Sequence, residues 1–253
     1  MSPPKISVIT ATYNARETLP DAIESILAQN YSDVELVVID GGSTDGTNEL
    51  LASYRDRIDV LISEPDKGIY DALNKGISHA TGDVIGFLHA DDLFADEHVL
   101  SRVADAFAAD GVSADYGDLV YISRITPDKV IRYWESGDCT IKKLRHGWMP
   151  PHPTFYVRRE VYEQFGVFDT SFRIAADYDC MLRFLVRAKL ECVYIPRVLV
   201  KMRVGGASNR SLGNIIRKSA EDYRALKQNG AGGLPALMWK NFSKLPQFIK
   251  RQA

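Results

Sequence analysis

The stretch VIGFLHADD, residues 84–92, decides how this chain folds, because an apolar run ends abruptly in two adjacent carboxylates, Asp91 and Asp92. A short apolar run bounded by polar residues predicts a buried strand, and a strand buried on both faces belongs to a largely parallel sheet covered by helices. Ligands of such sheets bind beyond the carboxyl ends of the strands. We therefore expect Asp91 and Asp92 to lie at a ligand-binding edge.

Two neighbouring aspartates at such an edge repel each other unless a cation or hydrogen-bond donors compensate their charge. Oxygen ligands of this kind suit Mg²⁺ or Mn²⁺, which commonly bridge protein carboxylates to substrate phosphates. The alternative is that Asp91 and Asp92 cap a helix that starts near Asp96, since aspartate is a good N-cap. The pair alone does not decide between a metal site and a cap.

A second apolar run, residues 34–40 (VELVVID), also closes on a carboxylate, Asp40. The segment GGSTDG follows, where glycines let the backbone approach a ligand and Ser43 or Thr44 can cap a helix over 45–54. Asp40 would bind a base or a ribose hydroxyl if a nucleotide occupied this edge. Capping of the helix is the alternative for Asp40.

A third strand, residues 6–10, runs into Ala11-Thr12-Tyr13-Asn14 before a helix over about 17–28. Tyr13 could stack on a nucleobase, and ordinary half-buried packing is its alternative. With three strand ends at one edge, the pattern favours a nucleotide site in which Asp91 and Asp92 bind the sugar and a metal-bound diphosphate.

The motifs ISVITATYN, VELVVIDGGSTDGT, YDALNKGI, GDVIGFLHADD and FRIAADYDCMLRF, in this order, resemble family 2 glycosyltransferases over about residues 5–203. The stretch SEPDKGIYDALNKGI looks most like bacterial members that build exopolysaccharide or O-antigen units. The resemblance implies the GT-A fold: an α/β unit with one mostly parallel nucleotide-binding sheet flanked by helices. It implies an inverting enzyme that moves a sugar from a nucleotide-diphosphate sugar to a hydroxyl of a saccharide or lipid-linked saccharide. The expected donor is a UDP-sugar.

The resemblance also assigns residues to the donor site. Ala11 and Tyr13, with Thr12 between them, would line the nucleobase pocket, Asp91 would contact the ribose, and Asp92 would hold Mn²⁺ or Mg²⁺. The family's metal motif often begins with an aspartate where this chain has His89. The family often has a second aspartate, the one that contacts uracil, where this chain has Gly41, so base recognition would fall to Asp40 or to Asp66.

The candidate base is Asp177, in AADYDCMLRF. Apolar residues at helical spacing follow it, namely Met181, Leu182, Leu185 and Val186, so Asp177 should lie at a helix N-terminus, where the helix dipole favours the ionised carboxylate. The resemblance favours Asp177 over Asp179 as the base that takes the proton of an acceptor hydroxyl. An N-cap role is the alternative.

Two further segments could belong to the site. The run WMPPHP, residues 148–153, predicts a rigid loop near the acceptor, with His152 as a contact to acceptor or diphosphate. Arg203, a second candidate contact to acceptor or diphosphate, opens RVGGASN, residues 203–209, where glycines and serine favour either a lid over the diphosphate or a plain connector.

The composition is that of an ordinary globular chain of 253 residues, 45% hydrophobic and 25% charged. Alternating strands and helices predict a nucleotide-sugar-binding half over 1–108, and predicted hairpin strands at 114–123 and 130–134 open an acceptor-side half that ends at 211. The three unevenly spaced cysteines indicate reduced thiols, and Met1-Ser2-Pro3-Pro4 leads straight into a strand, so we expect a cytoplasmic protein without a signal peptide.

The remaining segment, 212–253, differs in charge, with eight basic and two acidic residues in an otherwise acidic chain. Its last twenty residues combine Lys240, Lys244, Lys250 and Arg251 with bulky apolar side chains on one helical face. This combination is typical of a helix on an anionic membrane surface, here the inner face of the cytoplasmic membrane. A helix packed on the domain, or on a second copy in a homo-oligomer, is the alternative.

Two other functions remain open at this point. A sugar-nucleotide nucleotidyltransferase would have a related fold, but it usually opens with a glycine-rich phosphate loop, and TATYNARE contains no glycine. A non-catalytic nucleotide- or carbohydrate-binding module would need neither the base nor the paired aspartates. Nucleic acid is excluded as a partner, because the basic charge is confined to the tail.

Overall fold

The computed structural model describes residues 3–124, 126–205 and 212–242. Within these residues nine strands form one mixed sheet in the order β3-β2-β1-β4-β8-β6-β9-β5, and β7 pairs with β6 outside this path. The strands are β1 (Ile6–Thr12), β2 (Val34–Asp40), β3 (Val60–Ser63), β4 (Val84–Phe87), β5 (Asp92–Phe94), β6 (Ala114–Ile122), β7 (Val130–Trp134), β8 (Tyr156–Arg158) and β9 (Cys192–Arg203).

Helices cover the sheet and connect its strands. They are α1 (Leu19–Leu27), α2 (Thr47–Ser53), α3 (Ile69–His79), α4 (Val99–Phe107), α5 (Ile141–Arg145), α6 (Arg159–Phe165), α7 (Ala176–Leu182), α8 (Leu212–Gln228) and α9 (Leu234–Phe242). A π-helical turn, Arg183–Arg187, continues α7. The helix predicted from the spacing of residues 181–186 is therefore confirmed, with a wider final turn.

The first four strands form the predicted parallel layer. β2 lies between β1 and β3, and β1 also pairs with β4, all in parallel. Thr12 pairs with Asp40 and Asp40 with Ser63 in this register. The carboxyl ends of β1, β2 and β3 thus meet at one edge, as expected of successive βα units.

Beyond β4 the sheet is mixed, which the prediction of a mostly parallel sheet did not include. β8 runs antiparallel to both β4 and β6, and β9 is parallel to β6 but antiparallel to β5. The β6–β7 hairpin is antiparallel, as predicted. Since Asp92 pairs with Met202, the end of β9 lies beside the aspartate pair and helps to build the same edge.

Two hydrophobic cores lie on the opposite faces of the sheet. Alternate residues of β1 point to each: Ile6 and Val8 pack in one core, and Ile9 and Ala11 pack in the other. All four are buried, which confirms that the strands are covered on both faces. Hydrophobic burial on this pattern fixes the strand register, because a one-residue slip would exchange the two faces.

The two C-terminal helices share a core with the rest of the chain. Ala225 and Leu226 of α8 and Ala236 of α9 are buried in the core that also contains Ile9. Glu221 of α8 accepts hydrogen bonds from the backbone N–H groups of residues 173–175, just before α7. The predicted tail over 212–253 therefore begins with helices packed on the domain.

The three cysteines, Cys139, Cys180 and Cys192, are free thiols. Among the described residues, no helix has both the length and the apolar character needed to cross a bilayer.

Candidate functional site

The loops that follow β1 and β2 are joined by hydrogen bonds at the sheet edge. Ser43 Oγ accepts from the N–H of Asn14 at 2.8 Å, and Asn14 Oδ1 accepts from the N–H of Thr44 at 2.8 Å. Asn14 takes a left-handed backbone conformation, with φ +49°, which asparagine tolerates better than most residues. This network leaves the preceding Tyr13 projecting outward, 63% exposed.

Tyr13, Gly41 and Asp66 converge beside this loop. A Cβ at Gly41 would lie 2.3 Å from Asp66 Oδ2 and 3.4 Å from Tyr13 Cδ2. Only glycine leaves room for the carboxylate at this position. Asp66 Oδ1 accepts from the N–H of Gly68 at 2.8 Å, which holds the side chain over Gly41. An aromatic face and a carboxylate acceptor thus stand together where a nucleobase could stack and donate a hydrogen bond.

Asp40 stabilises the turn after β2, which corrects its prediction as a contact to the nucleotide-sugar donor. Its side chain is fully buried. Oδ1 accepts from Ser43 Oγ at 2.5 Å, and Oδ2 accepts from Ser63 Oγ at 2.7 Å and from the N–H groups of Gly42 and Ser43 at 3.1 Å. With both oxygens engaged and no exposed surface, the carboxylate organises the turn after β2. Of these two candidates for base recognition, Asp66 is the one whose carboxylate lies over Gly41 beside Tyr13.

Ala11 and Thr12 form the buried floor next to Tyr13. Both lie at the end of β1 and are less than one tenth exposed. The Oγ1 atom of Thr12 is buried without a hydrogen-bond partner among the described residues, while its carbonyl accepts from the N–H of Gly41 at 2.9 Å. Thr12 therefore joins β1 to the β2 loop directly beneath the Tyr13–Asp66 pair.

Asp91 and Asp92 do not cap the following helix, so the capping alternative is wrong. α4 begins at Val99, and the turn before it is organised by Asp96, whose Oδ1 accepts from the N–H of His98 at 2.8 Å. Asp92 Oδ1 accepts from the N–H of Arg203 at 3.2 Å, whereas Oδ2 is buried without a partner among the described residues. The Oδ2 atom of Asp92 is thus the oxygen that remains available to bind a ligand.

The electrostatics of the aspartate pair fit a cation. Burial raises the pKa of Asp92 well above its usual range, the charge of Asp91 adds to this, and Arg203 opposes it. A divalent ion would offset that cost. No cluster of three or more His, Cys, Asp or Glu residues able to hold a metal occurs in the described ranges. This donor set suits Mg²⁺ or Mn²⁺ held by one or two carboxylates together with substrate phosphates.

Arg203 is buried behind Asp91 and Asp92, which corrects its prediction as a contact to acceptor or diphosphate. Only 4% of its surface is exposed. Its guanidinium donates to the Asp91 carbonyl at 3.1 Å and to Asp21 Oδ2 of α1 at 2.5 Å. Arg203 therefore braces the Asp91–Asp92 segment against α1. Of the predicted lid, residues 206–209 lie outside the described part of the chain.

A cavity of ≈ 450 Å³ opens next to this edge. His89, His152 and Asp177 line it. Burial lowers the pKa of His89, and the carboxylates of Asp91 and Asp177 oppose that shift, so the imidazole lies within electrostatic reach of both. The cavity thus extends from His89, two residues before Asp91, to the predicted base on α7.

His152 enters the cavity as a neutral imidazole. It lies in a short 3₁₀ turn, His152–Thr154, that the three prolines of WMPPHP predicted as a rigid loop. Its ring is 9% exposed, stacks on Phe87 with 5.3 Å between ring centroids, and leaves Nε2 without a hydrogen-bond partner among the described residues. Burial, with His89 nearby, lowers the pKa of His152 to about 3. Nε2 is free to bond a ligand hydroxyl.

Asp177 occupies the first turn of α7 and lines the cavity half-buried. Its Oδ1 accepts from the N–H of Tyr178 at 2.8 Å and from the hydroxyl of Tyr70 at 3.3 Å, while the same hydroxyl donates to the Ile174 carbonyl at 2.7 Å. These contacts hold the carboxylate toward the cavity. Geometry therefore allows Asp177 to receive a proton from a bound hydroxyl.

Asp179 points the other way, into the interface with α8. It is 1% exposed, and its oxygens accept from Arg183 at 3.1 Å, Gln228 at 2.5 Å and Asn229 at 2.7 Å. A carboxylate held by three side chains in the interior joins two helices. The alternative assignment of the base to Asp179 has no cavity to act in.

Sequence reasoning missed several residues of the site. Tyr70 and Asn74 lie on α3, within the quoted motif YDALNKGI to which no role was given, and Asn74 binds both backbone groups of Phe168. Arg173 and Arg217 line the cavity as well. The motif was a signal for Tyr70, whereas exposed arginines carry no distinctive pattern.

Comparisons with known proteins bear on the identity of this site. The family model for glycosyl transferase family 2 matches residues 7–176. A PGL/p-HBAD biosynthesis glycosyltransferase of Mycobacterium tuberculosis (strain ATCC 25618 / H37Rv) is 31% identical over 215 residues, which cover 83% of this chain and 81% of the relative. An uncharacterized glycosyltransferase of the same strain is 32% identical over 196 residues, 76% of this chain and 71% of the relative.

Solved structures share the fold at low identity. TarS 1-349 of S. aureus in complex with UDP-GlcNAc superposes with a TM-score of 0.71 at 16% identity, over 89% of this chain and 65% of that chain. The mannosyltransferase PcManGT of Pyrobaculum calidifontis, in complex with GDP-Man and Mn2+, gives 0.68 at 21% identity, over 96% and 71%. These likenesses confirm the GT-A fold. By the match of its motifs over more than half its length, the chain belongs to glycosyl transferase family 2.

Proposed function

We propose that this glycosyltransferase inverts the anomeric centre as it moves a sugar from a UDP-sugar to a hydroxyl of a saccharide or lipid-linked saccharide in bacterial surface polysaccharide synthesis. The observation that carries the proposal is the position of Asp177 beside the donor edge. Asp177 and His89 line one cavity, and His89 is two residues from Asp91. A base that lies next to the donor site is what a direct displacement requires.

The proposed chemistry follows from the placement of Asp177. Its carboxylate takes the proton of the acceptor hydroxyl while the oxygen of that hydroxyl attacks the anomeric carbon. The bond from that carbon to the diphosphate oxygen breaks, the electron pair stays with the departing UDP, and the configuration inverts because attack comes from the opposite face. Mg²⁺ or Mn²⁺, held by Asp92, would neutralise charge on the departing diphosphate. This single displacement needs no covalent intermediate between the enzyme and the sugar.

Recognition of uracil is assigned to the Tyr13–Asp66 pair. The Tyr13 ring supplies the stacking surface, and Asp66 Oδ2, above Gly41, would accept the imide N–H of the base. Uracil offers such a donor, as thymine and guanine also do, while adenine and cytosine present an acceptor at the corresponding ring nitrogen. The proposal of a uridine nucleotide therefore rests on a carboxylate that replaces, from another loop, the aspartate expected at position 41. The UDP-GlcNAc complex of TarS agrees with this choice and the GDP-Man complex of PcManGT does not.

We also propose a location at the inner face of the cytoplasmic membrane. The structure changes which residues support this location. Lys240, expected as a membrane-facing cation, is buried in an ion pair with Asp222 at 2.6 Å. Lys244, Lys250 and Arg251 lie outside the described residues. What α9 does expose is apolar: Leu234, Met238 and Trp239 are each about 60% exposed.

Basic residues adjoin that apolar face. The turn after α5 touches α9, because a Cβ at Gly147 would lie 2.6 Å from the Ala236 carbonyl, and the rings of His146 and Trp239 are 6.4 Å apart. The exposed side chains of this α5–α9 surface include Ile141, Lys142, Arg145, Leu234, Met238 and Trp239. Apolar side chains beside cations suit an anionic bilayer, where each cation contributes about 1 kcal/mol.

The assignment of the base is tested with Asp177→Asn, which keeps the size of the side chain and removes its basicity. Release of UDP from a UDP-sugar in the presence of a saccharide acceptor should slow about 10²–10⁴-fold, while the affinity for UDP with Mn²⁺ stays unchanged. Asp128→Asn, at an exposed position of the β6–β7 turn, is the matched control. Turnover close to that of the wild type would refute the role of Asp177, and failure of the wild type to bind UDP would refute the donor.

A further inference from the structure

Two arginines at the rim of the cavity lack partners. Arg173 precedes α7 and Arg217 lies on α8, and both line the cavity with Asp177. Both side chains are exposed. Among the described residues, no hydrogen bond or ion pair to either guanidinium group is formed, since Arg173 bonds through its backbone N–H alone.

Neighbouring charges are engaged elsewhere. Glu221, four residues after Arg217 on α8, would be its natural helical partner. Its carboxylate instead accepts from the backbone N–H groups of residues 173–175 at 2.8–3.1 Å. Asp222 is paired with the buried Lys240. The fold therefore uses Glu221 and Asp222 for packing, which leaves neither guanidinium group with an ion-pair partner among the described residues.

Other arginines in this region behave differently. Arg183 is paired with Asp179 and donates to the carbonyls of residues 166 and 167, and Arg224 is paired with Asp169. Arg173 and Arg217 differ from these arginines, because their guanidinium groups line the cavity and form no hydrogen bond or ion pair with the described residues. Guanidinium groups bind phosphate and carboxylate through paired N–H donors, and such charge-assisted bonds are stronger than neutral ones.

We propose that this cavity selects an acceptor that carries an anionic group, a phosphate or a carboxylate, bound by Arg173 and Arg217 close to the hydroxyl that Asp177 deprotonates. The inference deepens the proposed function and rests on it. Without the arginines, the carboxylate of Asp177 would repel such an acceptor. His152 Nε2, buried and unpartnered in the same cavity, would bind one of the uncharged hydroxyls of the saccharide.

The donor diphosphate is the other anion that could reach these arginines. The predicted donor residues, Tyr13 and Asp66 at the nucleobase and Asp92 at the metal-bound diphosphate, do not line this cavity, whereas Asp177 does. This separation favours the acceptor as the ligand of the arginines. The experiment must therefore measure donor and acceptor affinity independently.

The test uses the full chain saturated with UDP and Mn²⁺, and three probes: glucose 1-phosphate, glucuronic acid and methyl glucoside. Binding is measured by titration calorimetry or ligand-observed NMR for wild type, Arg173→Gln, Arg217→Gln and Arg187→Gln. Arg187 is an exposed arginine at the end of the π-helical turn and provides the same change of charge away from the cavity lining.

At least one anionic probe should bind about tenfold or more tightly than methyl glucoside, and Arg173→Gln and Arg217→Gln should each weaken that probe about tenfold. Arg187→Gln should leave the binding of that probe unchanged. None of the three substitutions should change the affinity for UDP. The preferred anion distinguishes phosphate from carboxylate. Equal binding of neutral and anionic probes, an equal loss in Arg187→Gln, or a loss of UDP affinity in the cavity variants would each overturn the proposal. Absence of UDP binding in the wild type would instead refute the proposed function.

Discussion

His152 should make the folded protein less stable in mild acid. In the fold its pKa is about 3, lowered from 6.5 chiefly by burial. Because the folded pKa is depressed, the unfolded chain binds the proton first, so this contribution to stability is complete above pH 6.5 and is lost as the pH falls toward 3. For a group that titrates only in the unfolded state with a pKa near 6.5, the loss between pH 7 and pH 5 is about 2 kcal/mol.

His152→Asn removes the titration and also the stacking on Phe87, so its stability at any single pH is lower for a second reason. The informative quantity is the difference in the free energy of unfolding between pH 7 and pH 5, measured by urea denaturation. The wild type should lose about 2 kcal/mol more than His152→Asn over this interval. His79→Asn, at an exposed histidine that ends α3, should retain the pH dependence of the wild type.

An identical pH dependence in the wild type and His152→Asn would show that the imidazole is protonated as easily in the fold as in the unfolded chain. It would then be solvated, and the neutral hydrogen-bonding partner that we place in the acceptor cavity would not exist. The measurement thus bears on the cavity without requiring knowledge of the acceptor.

Three other expectations concern the donor edge and the surface. Asp92→Asn should abolish the enhancement of UDP affinity by Mn²⁺, measured as UDP binding with and without the ion; a retained enhancement would place the metal elsewhere. Gly41→Ala should weaken UDP at least about tenfold, because its Cβ would lie 2.3 Å from Asp66 Oδ2, while Gly233→Ala, which meets nothing within 4 Å, should bind normally. Trp239→Ser with Met238→Ser should reduce co-sedimentation with anionic vesicles at low salt, whereas Val130→Ser on β7 should not; equal sedimentation of all three proteins would eliminate the membrane contact.

The sequence predicted the parts of the fold that depend on local patterns. Apolar runs located β1, β2 and β4, and the carboxyl ends of these strands meet where the parallel arrangement requires. The antiparallel insertion of β8 between β4 and β6 was not predictable in the same way, because these pairings join residues that are 41 to 74 positions apart. The mixed half of the sheet depends on such distant contacts.

The candidate site divides along the same line. Asp177 and His152 were predicted from their own motifs, and the structure brings both to one cavity. Asp40 was predicted as a ligand because it ends a strand, yet one of its hydrogen-bond donors comes from Ser63, on a strand that was not considered. Arg203 was predicted as a contact to acceptor or diphosphate, and its partner Asp21 lies 182 positions away in the chain. A polar residue at a strand end can bind a ligand or satisfy the fold, and distant partners decide which.

The ion pair between Lys240 and Asp222 determines where this chain can be cut or recombined. Lys240 Nζ also lies 3.1 Å from the ring centroid of Tyr178, whose neighbour in the chain is Asp177. A deletion that begins at residue 212 or at 234 would strip this cation from the wall behind the base. The second deletion would also leave Asp222 buried and unpaired, at a cost of about 3–5 kcal/mol. Chimeras that exchange acceptor preference between relatives should therefore place their junction after residue 242, and membrane attachment should be examined with surface substitutions in preference to truncations.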